Sequence, residues 1–382
     1  MGRNMTVSTS TRVQQVGVWR VPCSGPGDLS AVQALIDSGE LIPSDIVAVM
    51  GKTEGNGCVN DFTREYAAAA WCHLLSPYLS CTPAAVHARV ALVMSGGTEG
   101  VLSPHFTVFS RRWLDASGVN IPAGKRLVIG IAHTRDFLAE EMGRPAQIDA
   151  TAKAVEAAMQ DAGITSAADV HFVQVKCPLL TSGKVTMALA RGADPVTHDS
   201  YESMGYSRGA SALGVAVALG EVRREAIQFE SVLSDWSLYS ARASVSAGIE
   251  LEGNVVIVLG EADGSASAFR IAHTVMKDAI DAASVRSLLR DTFGLDADGD
   301  VQSLSSRLLN LLAKAEASPN GRVRDVRHTM LNDSDLHSTR HARAAVGGVL
   351  ASVTGHTALY VSGGAEHQGP AGGGPVAAIV RM

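Results

Sequence analysis

The stretch Val93-Met94-Ser95-Gly96-Gly97-Thr98-Glu99-Gly100 sets the pattern of this chain, because two related stretches follow it. Val361-Ser362-Gly363-Gly364-Ala365-Glu366 repeats it near the end, and Val245-Ser246-Ala247-Gly248-Ile249-Glu250 lies between them. All three read apolar, Ser, small, Gly, any residue, Glu. A serine followed by small residues leaves its hydroxyl exposed and lets a ligand approach backbone N–H groups. The repetition predicts a chain built from three related units.

Each unit repeats one order of predicted elements. Each unit begins with a strand, a helix and a second strand, and the second strand ends near a lysine. An arginine beside an Ala- and Gly-rich helix comes next. The last strand of the pattern leads to the serine. We therefore expect an α/β fold of three similar repeat domains. The expected boundaries are a disordered polar tail at 1–15 and repeat units at 16–115, 124–262 and 268–382.

Composition narrows the class of protein. The chain has 382 residues with 46% hydrophobic residues, which is enough for a large core, and a net charge of −6 argues against nucleic acid as a partner. No apolar run approaches the length of a membrane span, so we expect no membrane partner. The five cysteines form no CxxC pair and indicate reduced thiols in a cytoplasmic protein.

The basic residues and serines of the three units suggest a shared site. If a pseudo-threefold axis relates the units, one lysine, one arginine and one serine from each converge on it. Such a pocket suits a small planar ligand with several carbonyl oxygens, and a serine beside a neutral lysine is a nucleophile–base pair. Symmetry alone leaves open which pair is active. The series is Lys52–Arg64–Ser95, Lys176–Arg208–Ser246 and Lys314–Arg343–Ser362, with each arginine expected to open its helix.

Other candidate sites are weaker. Arg340 competes with Arg343, since it lies three residues earlier on the same predicted helix. His133 and His273 lie in apolar strands and are predicted to be buried structural residues. The Gly-rich loop 51–57 lacks the P-loop pattern, and the acidic segment Leu295–Gln302 lacks the glutamate of an EF-hand, so we interpret it as a solvated loop.

Long motifs over nearly the whole chain resemble the ring-opening amidase family of cyanuric acid hydrolase and barbiturase. They include GKTEGNGCVNDFTREYA (51–67), VMSGGTEGVLSPHFTVFSRR (93–112), YESMGYSRGASALG (201–214), RHTMLNDSDLHSTRHARA (327–344) and YVSGGAEHQGPAGGGP (360–375). The resemblance implies three similar α/β domains around a pseudo-threefold axis with the active site at the centre. It also implies a cytoplasmic homotetramer that needs no organic cofactor.

The resemblance also implies roles for individual residues. Ser246 matches the nucleophile and Lys176 its base. The substrate-binding set comprises the clamping arginines Arg64, Arg208 and Arg343, the carbonyl-binding pairs Ser95-Gly96, Ser246-Ala247 and Ser362-Gly363, and the lysines Lys52 and Lys314. A structural Mg²⁺ or Ca²⁺ site is implied at Glu316, Ala365, Gln368, Gly369, Pro370 and Gly373, mostly through backbone carbonyls, which suit a hard cation.

Three functions follow as hypotheses. The first is a hydrolase that opens the s-triazine ring of cyanuric acid to carboxybiuret, which then gives biuret and CO₂. The second is a barbiturase that uses the same chemistry on barbituric acid. The third is a binding protein for cyclic imides that uses the three Ser turns only to hold its ligand.

Overall fold

The computed structural model describes residues 12–299 and 301–382. It contains three four-stranded sheets of one topology. In each sheet the strands stand in the order first, fourth, second, third; the second and third are parallel, and the fourth is antiparallel to both the first and the second. The fold of three similar α/β repeats around a pseudo-threefold axis is thus confirmed.

The first repeat contains β1 (Arg12–Pro22), α1 (Ser30–Asp37), β2 (Ile46–Thr53), α2 (Phe62–Leu75), β3 (Ala91–Gly96) and β4 (His105–Asp115). The second repeat contains β5 (Arg126–His133), α3 (Pro145–Ala162), β6 (Val170–Pro178), α4 (Ser182–Ala190), α5 (Ser200–Ala218), β7 (Ala243–Gly248) and β8 (Val255–Ala262). The third repeat contains β9 (Phe269–Met276), α6 (Ala282–Phe293), α7 (Val301–Arg307), β10 (Leu308–Ala315), the short hairpin β11 (Arg322–Val323) and β12 (Val326–Arg327), α8 (Ser338–Thr354), β13 (Tyr360–Gly363) and β14 (Gly374–Arg381).

A register shift marks the same point in every sheet. It falls between Ile46 and Ala48 in β2, between Val170 and Phe172 in β6, and between Leu308 and Asn310 in β10. Each shift begins six residues before the lysine of its repeat. A bulge bends its strand and redirects the side chains that follow it. Because the shift lies at the same distance before each lysine, the three lysine side chains point in the same direction relative to their sheets.

The core is divided into layers. Each repeat packs its helices on the outer face of its sheet, in three separate apolar clusters. A fourth cluster joins the inner faces of all three sheets and includes Met50, Phe172, Leu312 and Tyr360. Side chains alternate between the faces of a strand, so Lys52 follows Ala48 and Met50 onto the inner face. The central cluster therefore places the ends of the second and third strands together.

Four expectations about local structure are wrong. They concern the place of residues 12–15, the helix starts at Arg208 and Arg343, the acidic segment, and the burial of the two histidines. Arg12 to Gln15 are expected in the polar tail but belong to β1 and pair with β4; residues 1–11 lie outside the described part of the chain. Arg208 and Arg343 do not open their helices, because the side chains of Asp199 and His337 cap α5 and α8 further upstream.

The acidic segment and the two histidines also differ from expectation. Asp296 and Asp298 are exposed, but the segment passes into α7 before it ends at Gln302; Asp300 lies outside the described residues. His133 is exposed rather than buried, and His273 is half-buried with its Nδ1 2.9 Å from Nδ1 of His171. Among the helices that the structure describes, none has the length and apolarity needed to span a membrane.

Candidate active site

The lysine and the serine of each repeat are direct partners across two parallel strands. Lys52 is paired with Ser95, Lys176 with Ser246 and Lys314 with Ser362 in the strand registers. All three lysines are at most 1% exposed. The sheet geometry alone therefore delivers three equivalent Lys–Ser pairs to the central axis.

The serines meet in one small cavity of about 270 Å³. Ser95 Oγ donates to Ser362 Oγ at 3.3 Å across the boundary between the first and third repeats. The cavity is lined by Gly57, Arg64, Ser95, Gly96, Lys176, Met204, Arg208, Ser246, Ala247, Arg343, Ser362 and Gly363. All residues predicted from the sequence to bind substrate or to catalyse line it, except Lys52 and Lys314.

Lys52 and Lys314 do not line the cavity themselves, but each contacts a serine that does. Lys52 Nζ lies 3.3 Å from Ser95 Oγ, and Lys314 Nζ lies 3.2 Å from Ser362 Oγ. Lys176 Nζ donates to the carbonyl of Met94 at 2.7 Å, as Lys314 Nζ does to that of Val245, but it differs in lying 3.4 Å from Glu250 Oε1. Among the contacts of the described residues, Lys176 makes no hydrogen bond to Ser246.

Burial dominates the acid–base properties of the lysines, because a charged ammonium loses hydration inside the protein. It lowers the pKa of Lys52 well below the usual value, helped by Arg343. Burial, with Arg208 as the second cause, lowers the pKa of Lys314 to about 7. The pKa of Lys176 is lowered by burial and by Arg64, while Glu250 raises it. The environment thus favours neutral amines, which a lysine needs to accept a proton.

Glutamates of the repeated motif hold two of the arginines, and each pair joins two repeats. Arg343 of the third repeat forms a two-point ion pair with Glu99 of the first. Arg208 of the second repeat donates to both carboxylate oxygens of Glu366 in the third, at 2.8 and 2.6 Å. Such bidentate pairs fix the guanidinium plane.

Arg64 and Glu250 break this pattern. Arg64 donates to the carbonyls of Cys58, Val59 and Ala247, while Glu250, the third glutamate of the motif, faces Lys176. The three glutamates have no predicted role, although the repeat of Glu four residues after each Ser marks them in the sequence. Arg343 and Arg208, the partners of Glu99 and Glu366, lie in other repeats, whereas Lys176, the partner of Glu250, lies in the same repeat; sequence reasoning connected none of these pairs.

The glycines of the turns make room for the arginines. Gly97 has φ +102° and Gly364 has φ +74°, and a Cβ at either would overlap Arg343 or Arg208 respectively. Arg340, the competing candidate, lies outside the cavity with its Nε 3.5 Å from Glu99. Of these two arginines, Arg343 is therefore the one that lines the cavity.

The six residues of the implied metal site lie in one region, but not all face one point. Glu316 accepts the N–H groups of Ala317 and Ala365, at 3.0 and 2.7 Å. Gln368 turns its amide oxygen to the N–H of Val245, 2.6 Å away. The loop also closes on itself, with Gly373 N–H donating to Pro370 O. Within residues 12–299 and 301–382, no three His, Cys, Asp or Glu side chains form a metal-binding group.

A larger cavity of about 1340 Å³ lies elsewhere, between α2 and the loop after β7. Its lining is mostly apolar and includes Cys72, His87, His133 and Glu250. It contains neither the serines nor the arginines, so we place the candidate site in the smaller cavity, where cations and hydroxyls from all three repeats meet.

Fold and site together define a class: three-repeat α/β proteins in which the repeats share one basic, hydroxyl-rich central cavity. The chain belongs to the family described as "Amidohydrolase ring-opening protein", whose profile matches residues 17–381. It is 61% identical to a cyanuric acid amidohydrolase of Pseudomonas sp. (strain ADP) over 96% of this chain and 99% of that protein. A second relative of that name, from Bradyrhizobium diazoefficiens, is 60% identical over 97% and 99%.

Solved structures agree with this assignment. One structure of a cyanuric acid hydrolase, described as an innovation by structural concatenation, matches with a TM-score of 0.93 at 60% identity, over 97% of this chain and 100% of that one. A cyanuric acid hydrolase from A. caulinodans matches with a TM-score of 0.88 at 50% identity, over 97% and 99%.

Proposed function

We propose that this protein hydrolyses cyanuric acid, opening its s-triazine ring to carboxybiuret, which loses CO₂ to give biuret. The observation that carries the proposal is the convergence of three Lys–Ser pairs and three arginines on one cavity. Cyanuric acid is a planar ring with three equivalent carbonyls, and a threefold arrangement of donors matches that symmetry. The names of the relatives support the same substrate.

In this proposal each repeat holds one carbonyl oxygen. Arg64, Arg208 and Arg343 donate to the ring oxygens from the rim of the cavity, and the serine turns donate hydroxyl and backbone N–H groups. Arg208 and Arg343 are already oriented by their glutamates, so little side-chain freedom is lost when the ring binds. The cavity is small and closely lined, which favours a single small ring.

Chemistry starts at Ser246 in the second repeat. Neutral Lys176 accepts the Ser246 Oγ proton while Oγ attacks one ring carbonyl carbon, whose oxygen takes up the negative charge and is held by N–H donors and a cation. The C–N bond then breaks, and the lysine ammonium returns the proton to the ring nitrogen. Water hydrolyses the acyl-enzyme to release carboxybiuret. The distinct surroundings of this pair support the choice, since Ala247 and Glu250 both depart from the arrangement of the other repeats.

A structural Mg²⁺ or Ca²⁺ at the loop 365–373 is part of the proposal. Burial and the nearby Glu366 carboxylate raise the pKa of Glu316 although Arg208 and Lys314 act in the opposite direction, so a bound cation would favour the charged carboxylate further. Glu316, Gln368 and the carbonyls of Ala365, Gly369, Pro370 and Gly373 would hold the ion. Its contribution would be to tie Glu316 to the loop that carries Glu366, the partner of Arg208.

The test compares three serine variants on two substrates. Ultraviolet absorbance follows loss of cyanuric acid and of barbiturate with wild type, Ser95→Ala, Ser246→Ala and Ser362→Ala. We expect turnover of cyanuric acid by wild type and its abolition in Ser246→Ala, with the other two variants weakened mainly in KM. Turnover of barbiturate alone would support a barbiturase, and binding of either ring without turnover would support a binding protein; each result contradicts the proposal.

A further inference from the structure

A second register pair lies directly beneath each Lys–Ser pair, two residues earlier along both strands. Alternation places it on the same inner face, one layer deeper towards the central cluster. In the first and third repeats all four residues of these pairs belong to that cluster. In the second repeat both residues are polar and 0% exposed. The three pairs are Met50–Val93, Gln174–Ser244 and Leu312–Tyr360.

The polar pair of the second repeat forms a short chain that ends at the proposed nucleophile. Ser244 Oγ donates to Gln174 Oε1 at 2.9 Å. Gln174 Nε2 donates to the carbonyl of Val175 at 3.0 Å and to Ser246 Oγ at 3.4 Å. Both amide atoms of Gln174 are therefore engaged, and the amide is oriented by Ser244 from one side.

Packing does not account for this pair. The first repeat fills the same layer with two apolar side chains, and the third fills it with Leu312 and Tyr360, whose hydroxyl lies beside Ser95 and Ser246. A buried polar group costs about 1–3 kcal/mol whenever a partner is lost. Polar groups in such a layer are kept hydrogen-bonded and specify one local geometry. In the second repeat the pair orients the Ser246 hydroxyl, because Gln174 Nε2 donates to Ser246 Oγ.

The hydrogen bonds of the three serines show the consequence. Ser95 and Ser362 each lie within hydrogen-bonding distance of the lysine of their own repeat. Ser246 instead accepts from a neutral amide. A hydroxyl has one donor and two acceptor sites. Because the Gln174 amide donates to one lone pair of Ser246 Oγ, the hydroxyl proton of Ser246 remains available for transfer to Lys176.

We propose that Gln174, oriented by Ser244, is a positioning residue that makes Ser246 the reactive serine of the three. The inference rests on the proposed function, in which Ser246 attacks the ring. As the Oγ proton moves to Lys176 Nζ and the Oγ–C bond forms, the Gln174 N–H stays directed at Oγ. It stabilises negative charge on that oxygen during attack, and again when Oγ leaves in the hydrolysis of the acyl-enzyme.

The decisive variant is Gln174→Met with Ser244→Val, which installs the pair found in the first repeat and removes both partners of the hydrogen bond between Ser244 and Gln174 together. We expect kcat to fall roughly 100-fold, as for loss of one donor to a developing oxyanion, with KM and the melting temperature close to wild type. Ser244→Ala alone, which frees the Gln174 amide, should give a smaller fall in kcat. Met50→Leu at the equivalent position of the first repeat is the matched control and should leave kcat unchanged.

A double variant with wild-type kcat would overturn the role of Gln174, and so would a fall in kcat that Met50→Leu reproduces. If the double variant does not fold, Ser244→Ala decides by the same criteria. Ser246→Ala, measured in parallel, separates the two proposals. Wild-type-like turnover in Ser246→Ala would refute the nucleophile assignment itself, whereas an inactive Ser246→Ala beside an active double variant would refute only the positioning role.

Discussion

Lys176 Nζ of the second repeat donates a hydrogen bond to the backbone carbonyl of Met94 in the first, 2.7 Å away, immediately before Ser95. Lys314 of the third repeat makes the same contact with Val245, immediately before Ser246. Each of these lysines is thus anchored on the strand that carries the neighbouring repeat's serine. The position of each of these lysines therefore depends on the backbone of a neighbouring repeat.

The first prediction concerns the pH dependence of activity. Glu250 raises the pKa of Lys176, while burial and Arg64 lower it. Glu250→Gln removes the opposing charge, so the pKa of Lys176 falls further and the neutral base persists to lower pH. We expect the acidic limb of the kcat/KM profile to move to lower pH. Glu40→Gln, at an exposed glutamate outside the cavity, should leave that limb in place.

An acidic limb that stays fixed in Glu250→Gln, or moves to higher pH, would contradict the assignment of Lys176 as the base. The profile is measured with cyanuric acid well below KM, where it reports groups of the free enzyme.

A second prediction addresses the ion pair between Glu99 and Arg343. The two side chains are only 12% and 4% exposed. Glu99→Ala leaves Arg343 as an uncompensated buried charge, and we expect the free energy of unfolding to fall by about 3 kcal/mol. Arg343 also loses its orientation, so KM for cyanuric acid should rise.

Urea denaturation and steady-state kinetics check both effects. Asp291→Ala breaks the exposed pair with Arg290 and is the control, with an expected loss below about 1 kcal/mol. Equal losses in the two variants would show that the pair between Glu99 and Arg343 does not stabilise the fold specifically.

A third prediction concerns the cation at Glu316. A bound ion stabilises the folded state by mass action, so chelation of the purified protein should lower its melting temperature. Glu316→Gln should lower the melting temperature and abolish its further change on chelation. Separate additions of Mg²⁺ and Ca²⁺ to the chelated protein identify the ion. A melting temperature that chelation does not alter in wild type would contradict the site.

Sequence reasoning predicted the strand ends well, because an apolar run that stops at a polar residue is a local pattern. Lys52, Lys176 and Lys314 with their serines follow such runs. The strands β4 and β14 were not predicted, since β14 begins within a Gly- and Pro-rich segment and β4 pairs with distant strands. Arg208 and Arg343 lie deeper in their helices than expected because the capping residues are not adjacent to the Ala-rich segment.

Partner choice across repeats was the main limit. The motif marks Glu99, Glu250 and Glu366 in the sequence, but only the structure pairs Glu99 with Arg343 and Glu366 with Arg208. The polar character of Gln174 and Ser244 becomes informative once their register shows that Met50 and Val93 occupy the same place. The homotetramer, the cytoplasmic location and the identity of the metal stay predictions.

The ion pairs that join the repeats, together with the central cluster, tie catalysis to complete assembly. No repeat contains a whole site: Lys176 and Lys314 are each held by the backbone of a neighbouring repeat, and Arg208 and Arg343 each pair with a glutamate of a neighbouring repeat. Detachment of any one repeat dismantles the cavity for all three. Loss of activity on heating therefore follows the least stable third of the molecule, however robust the remaining two are.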